Sequence, residues 1–309
     1  MDRSKLTSFI LVTFMAMLIG APAQASQTDI LYATGDGTTA IGGLFIINPL
    51  TGTATTVYSF NNAAIQGGGL AYDNSSGILY ATGYDNLSQA TLFSINLSTG
   101  VANFIGHTGG GHLEFGGLAI DPLTGVMYAT GMNGFQNTGL FSVDKNTGTA
   151  TLIGQAGGQF TALYGLGFSQ GGVLFANGFS NYSTSPMSDL LTVNLATGVA
   201  TDIGPHGVPL VGRQLAYSGL AFDANGSLLS LGSITGATGG LYSVNSATGA
   251  ATLIGPTGLP FGVDGGLAFV PAPGVTPEPG TFGLFGAGLG LVLLISRFRR
   301  SKLSALRAA

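Results

Sequence analysis

The chain has 309 residues, 45% of them hydrophobic and 7% charged, with 53 glycines, no tryptophan and no cysteine. Without cysteine, neither disulfides nor thiol chemistry can contribute, and a hydrophobic share this large excludes an intrinsically disordered chain. The net charge of −4 hides an uneven spread: residues 26–274 hold two basic residues, Lys145 and Arg213, against eleven acidic ones, a formal −9 that excludes nucleic-acid binding.

Residues 1–25 read as a secretory signal peptide. Arg3 and Lys5 form the basic start, residues 6–19 the apolar run, and Ala23-Gln24-Ala25 a small-x-small cleavage site. The mature chain is expected to begin at Ser26, and residues 26–270 to form one domain.

Repeats dominate that domain. NPLTG (48–52), NLSTG (96–100), DKNTG (144–148), NLATG (194–198) and NSATG (245–249) place their glycines 48, 48, 50 and 51 residues apart. Each phrase lies between two apolar runs, as a tight turn between strands does. A second phrase recurs as GLAYD (69–73), GLAID (117–121), GLGFS (165–169), GLAFD (219–223) and GLAFV (266–270). The first four lead through a turn into a further strand, such as LYATG at 79–83 or MYATG at 127–131.

Each repeat therefore predicts four short strands, A (Gly-Leu-Ala), B (Leu-Tyr-Ala-Thr-Gly), C (Leu-Phe-Ser-Val) and D (Ala-Thr-Leu-Ile), the unit of a β-propeller blade. The array opens with B, C and D alone and closes with a solitary A at 266–270. One incomplete repeat at each end makes one blade, so the expectation is an all-β, five-bladed β-propeller with three-plus-one ring closure. The short A–B and C–D turns then share one face, and both ends of the domain leave from it. The longer B–C and D–A loops share the other face, where binding residues are expected.

On those loops His107, His112 and Glu114, with His206 two blades later, are the candidate site, as metal ligands or as the acid and base of an extracellular hydrolase or lyase. The spacing matches no strong precedent, and solvated loop residues are the preferred reading. Asp73, Asp121, Asp144 and Asp223 stand at turn starts, where a carboxylate caps its own backbone two residues on. Tyr32, Tyr80, Tyr128 and Phe175 hold equivalent positions of strand B, which points to core between blades before any sugar-stacking ladder. No nucleophile elbow, phosphate loop or dinucleotide fingerprint occurs, so no catalytic residue, metal or cofactor is assigned.

Residues 271–281 form a proline-rich linker. Residues 282–309 are expected to supply a short transmembrane helix and a basic tail, with Arg297, Arg299 and Arg300 holding that end in the cytoplasm. Pro277-Glu278-Pro279, the apolar stretch and the arginine cluster together resemble the PEP-CTERM sorting signal of Gram-negative, exopolysaccharide-producing bacteria, over residues 275–302. The resemblance implies an exosortase as partner, transient insertion in the inner membrane with the propeller on the periplasmic side, and delivery to the cell surface or extracellular matrix. The functional expectation is a non-enzymatic surface protein that binds exopolysaccharide or another extracellular component.

Overall fold

The computed structural model describes residues 29–36, 42–60, 65, 68–85, 89–109, 116–132, 138–157, 160–180, 188–207, 217–233, 238–260 and 265–272. They lie within a compact unit spanning Thr28–Pro271, apart from the last residue. The signal peptide, the linker motif and the tail lie outside the described residues, as does most of every long loop.

Within the described residues there are twenty strands in five four-stranded antiparallel sheets and no helix, a five-bladed all-β propeller. Blade 1 is built from β1 (Ile30–Asp36), β2 (Gly42–Ile47), β3 (Ala54–Ser59) and the last strand, β20 (Leu267–Val270). Blade 2 holds β4 (Leu70–Asp73), β5 (Ile78–Tyr84), β6 (Ala90–Ile95) and β7 (Ala102–His107). Blade 3 follows with β8 (Leu118–Ile120), β9 (Met127–Met132), β10 (Thr138–Val143) and β11 (Ala150–Gln155). Blade 4 contains β12 (Phe160–Phe168), β13 (Leu174–Ser180), β14 (Ser188–Val193) and β15 (Ala200–Pro205). Blade 5 contains β16 (Tyr217–Phe222), β17 (Leu228–Ser233), β18 (Thr238–Val244) and β19 (Ala251–Pro260). Strand β20 pairs with β1 in antiparallel register, Ile30 opposite Val270 and Ala33 opposite Leu267.

The middle strands read as continuous apolar runs because both of their faces are buried, one against each neighbouring blade. Successive residues of β1 show the alternation. Leu31 and Ala33 join a core with Leu229, Leu231 and Leu241 of blade 5, whereas Tyr32 joins one with Leu70 and Leu79 of blade 2. Five such cores fill the five seams between blades. The strand-B aromatics are part of this packing: Tyr128 meets Phe168 of the next blade at 5.7 Å between ring centroids, and Phe175 meets Phe222 at 5.2 Å.

Two features recur that the apolar pattern does not reveal. First, strand D bulges in every blade beside the central Leu of strand C, at Leu44, Leu92, Leu140, Leu190 and Leu241, and β19 shifts register a second time between Thr238 and Gly240. The residue left out of register at the shared bulge is Val57, Ile105, Ile153, Ile203 or Ile254, so this bulge bends the outer strand where it meets its neighbour. Second, the glycine of each Thr-Gly turn lies against strand D of the preceding blade. A Cβ at Gly249 would collide with the carbonyl of Gly204, and one at Gly52 with the carbonyl of Gly255, so the contact recurs between blades 5 and 1.

Candidate functional site

The turn aspartates are structural. Asp73, Asp121, Asp144 and Asp223 each accept a hydrogen bond from the main-chain N–H two residues on, at 2.7 to 2.9 Å. Asp73 also takes the ammonium of Lys145 from blade 3 at 2.7 Å. Burial alone raises its pKa, but Lys145 and the hydroxyl and N–H of Ser75 overcome that and hold the carboxyl well below the usual carboxylate range.

The histidines part company. His112 and Glu114 lie outside the described residues. His107 ends β7 on the surface, with its Nδ1 3.3 Å from the Thr91 hydroxyl and 3.8 Å from the Asp85 carboxylate. His206, expected on a solvated loop, is buried in the seam between blades 4 and 5, with 1% of its surface exposed. Its Nδ1 lies 2.7 Å from the Gly249 carbonyl and its Nε2 3.1 Å from Asn177 Oδ1. Burial pushes the imidazole down to about 4, against the opposing pull of the Gly249 carbonyl, so the ring is neutral at pH 7. Its solvent access is gone because strand D places position 206 inward, as it does Thr108 and Ala156 in blades 2 and 3.

The partners of His206 mark where the repeat is broken. In blades 1 and 3 the Thr of Ala-Thr-Gly is a clip: the Thr130 hydroxyl accepts from Gly117 N–H at 2.6 Å and donates to the Tyr164 carbonyl of blade 4 at 3.0 Å. Thr34 joins Gly266 to Gly68 in the same way. Blade 4 has Asn177 at this position, and blade 5 has Ser230 where the others have Ala. Asn177 Nδ2 donates to Ser230 Oγ at 3.0 Å, and Ser230 donates on to the Gly219 carbonyl at 2.9 Å. Both departures stand out against the Ala-Thr-Gly of the first three repeats, although neither belongs to a catalytic motif. On the same blade Asp189 rises to about 6, through burial first and the nearby Asp202 carboxylate second. Among the described residues, no group of three or more His, Asp or Glu could hold a metal ion.

A cavity of ≈ 330 Å³ lies on the propeller axis. The five inner strands end their sheets on that side and touch one another in the order β4, β8, β12, β16, β20 and back to β4. At their N-terminal ends glycines bring the backbones together: a Cβ at Gly69 would overlap the backbone of Leu118, and one at Gly266 the backbone of Leu70. Gly266 N–H donates to Gly68 O at 2.7 Å across this collar, and Gly117 N–H to Tyr164 O at 3.1 Å. Beyond the collar the cavity reaches the A–B turns, where Asn74, Pro122, Gln170 and Ala224 line it. The described cavity therefore opens on the short-turn face, not on the long-loop face where binding residues were expected.

Residues 275–300 match the model of the PEP-CTERM protein-sorting motif. No curated protein matches the chain. Among solved structures it is similar to TolB from Acinetobacter baumannii, with 14% identity, 79% of this chain and 58% of that one covered, and a TM-score of 0.48. It is also similar to Xyloglucan PUL GH43B from Bacteroides ovatus, with 15% identity, 72% and 51% covered, and a TM-score of 0.47. The chain thus spans little more than half the length of either protein. It joins a five-bladed β-propeller to a PEP-CTERM sorting motif, and that motif implies a protein exported through the membrane to the cell surface under exosortase processing.

Proposed function

We propose that this protein is a non-enzymatic binding module of the cell surface or biofilm matrix whose propeller engages extracellular polysaccharide. The observation that carries the reading is the sorting motif at 275–300. The formal −9 of residues 26–274, which suits neutral extracellular partners, and the structural commitments of His206 and Asp73 add to it. Residues 1–25 are removed on export, 26–270 form the propeller, 271–281 the linker and 282–309 the helix and basic tail. The propeller faces the periplasm during transit, and the ring is latched by β20 on β1.

The test follows an epitope tag placed at Ser26 in a Gram-negative host that carries an exosortase. The tag is expected in the surface or medium fraction on a chain lacking its tail. Changing Pro277, Glu278 and Pro279 together to Ala should hold the full-length chain in the inner membrane. Surface delivery that persists after deletion of the exosortase overturns the sorting half of the reading. Failure of the released protein to sediment with the host exopolysaccharide overturns the binding half.

A further inference from the structure

We infer that the axial cup on the short-turn face is a saccharide site that takes the terminal ring of a neutral glycan end-on. The inference rests on the polysaccharide reading above and deepens it by naming the site and the ligand class.

The wall of the cup is amphiphilic for a reason built into the fold. Side chains of an inner strand stand on the faces of its sheet, so the strand turns its main-chain edge toward the axis. Thr82 N–H bonds to Gly69 O, Thr130 N–H to Gly117 O, and Thr34 N–H to Gly266 O. Antiparallel alternation then directs the N–H and C=O of Leu70 and Tyr72, of Leu118 and Ile120, and of Leu267 and Phe269 away from their sheet partners and toward the axis. Between these polar edges the cavity is also lined by Tyr72, Phe168, Phe222 and Phe269, which pack on the seams and stay partly exposed. Hydrogen-bonding edges alternating with the exposed parts of aromatic side chains match a pyranose, which carries hydroxyls at its rim and apolar C–H groups on its faces.

Geometry and charge narrow the ligand further. At ≈ 330 Å³ the cup is at the small end of ligand sites. The glycine collar floors it, so a polymer can enter by its end but cannot pass through. Asp29 and Asp223 line the cavity, and their carboxylates disfavour uronic acids and phosphorylated sugars, leaving neutral rings.

Saturation-transfer NMR on the purified exported protein tests this with maltotriose, cellotriose, mannotriose and triacetylchitotriose, and with glucuronate as the anionic control. At least one trisaccharide should receive transfer concentrated on a terminal ring, and glucuronate none. Asn74→Trp, an exposed rim position, should weaken that binding at least tenfold. Phe222→Leu, which keeps the seam filled but removes an aromatic face, should weaken it severalfold, whereas Phe104→Ala on the outer edge should leave it unchanged. Transfer spread evenly over three rings, no transfer from any trisaccharide, or full binding by Asn74→Trp overturns the inference. An Asn74→Trp protein that still sediments with exopolysaccharide leaves the polysaccharide reading standing while the cup falls.

Discussion

Gly249 and Gly226 have nearly the same backbone, with φ of 78° and 83°, yet different surroundings. At Gly249 a Cβ would collide with the Gly204 carbonyl of the preceding blade, whereas at Gly226 it would meet nothing within 4 Å. Gly226→Ala should therefore cost only the left-handed backbone penalty, about 1 kcal/mol, and Gly249→Ala should cost about 3 kcal/mol or more. Urea denaturation of the two variants checks this, and equal losses would show that the turn glycine is not a contact between blades. The NSATG phrase was legible as a turn because Asn and Gly have local turn chemistry. That its glycine also seats this blade on the preceding one was not, because the Gly204 carbonyl lies 45 residues away in sequence.

The elements that differ most are the two that form the seam between blades 4 and 5. Its core of described residues has five buried apolar members against ten in the seam between blades 5 and 1, and the Asn177–His206–Ser230 network occupies the remainder. A buried neutral imidazole makes this seam sensitive to acid. Its folded pKa of about 4 lies below the ordinary 6.5, so its contribution is complete above pH 6.5 and is lost as pH falls toward 4. Between pH 7 and 5 this amounts to about 2 kcal/mol. Asp189 works the other way: raised to about 6, it binds its proton more readily folded than unfolded, so folding is favoured as pH falls from 6 toward 4. The charged groups on the elements packed at this seam are Asp189 and Asp202 of blade 4, and blade 5 adds the buried Tyr242 of β18, whose pKa burial raises. His206→Gln should be less stable than the parent at pH 7, and its pH 7 to 5 decrement should be smaller by about 2 kcal/mol. Identical decrements in thermal or urea unfolding would remove His206 as the cause.

For the molecule as a whole, the pairing of Ile30 with Val270 puts the two ends of the propeller side by side in one sheet. The same Thr-Gly contact that joins the other blades also joins blade 5 to blade 1 through Gly52 and Gly255. A circular permutant that links residue 270 to residue 30 by a short Gly-Ser loop and opens in the long-loop segment at 61–64 should fold, with a Tm within a few degrees of the parent. Removal of β20 instead should leave β1 with an unpaired edge and two seams short of apolar cover, giving aggregation in place of cooperative unfolding. A permutant that fails to fold, or a β20-less chain that unfolds cooperatively at the parent Tm, would show that this pairing does not hold the ring.

Blade number, strand order and the sharing of one blade between the two ends were all readable in the sequence, since each repeat writes its own turns and apolar runs locally. The sorting motif was readable for the same reason: its three parts are contiguous. Position 206 could not be placed that way, because inward or outward is decided by a bulge in strand D and by what the neighbouring blade offers. Nor could the cup, whose position depends on glycines from five separate repeats meeting at one end of the axis. Local chemistry set the blades and the address; contacts between residues far apart in the chain decided which described histidine is buried and on which face the described cavity opens.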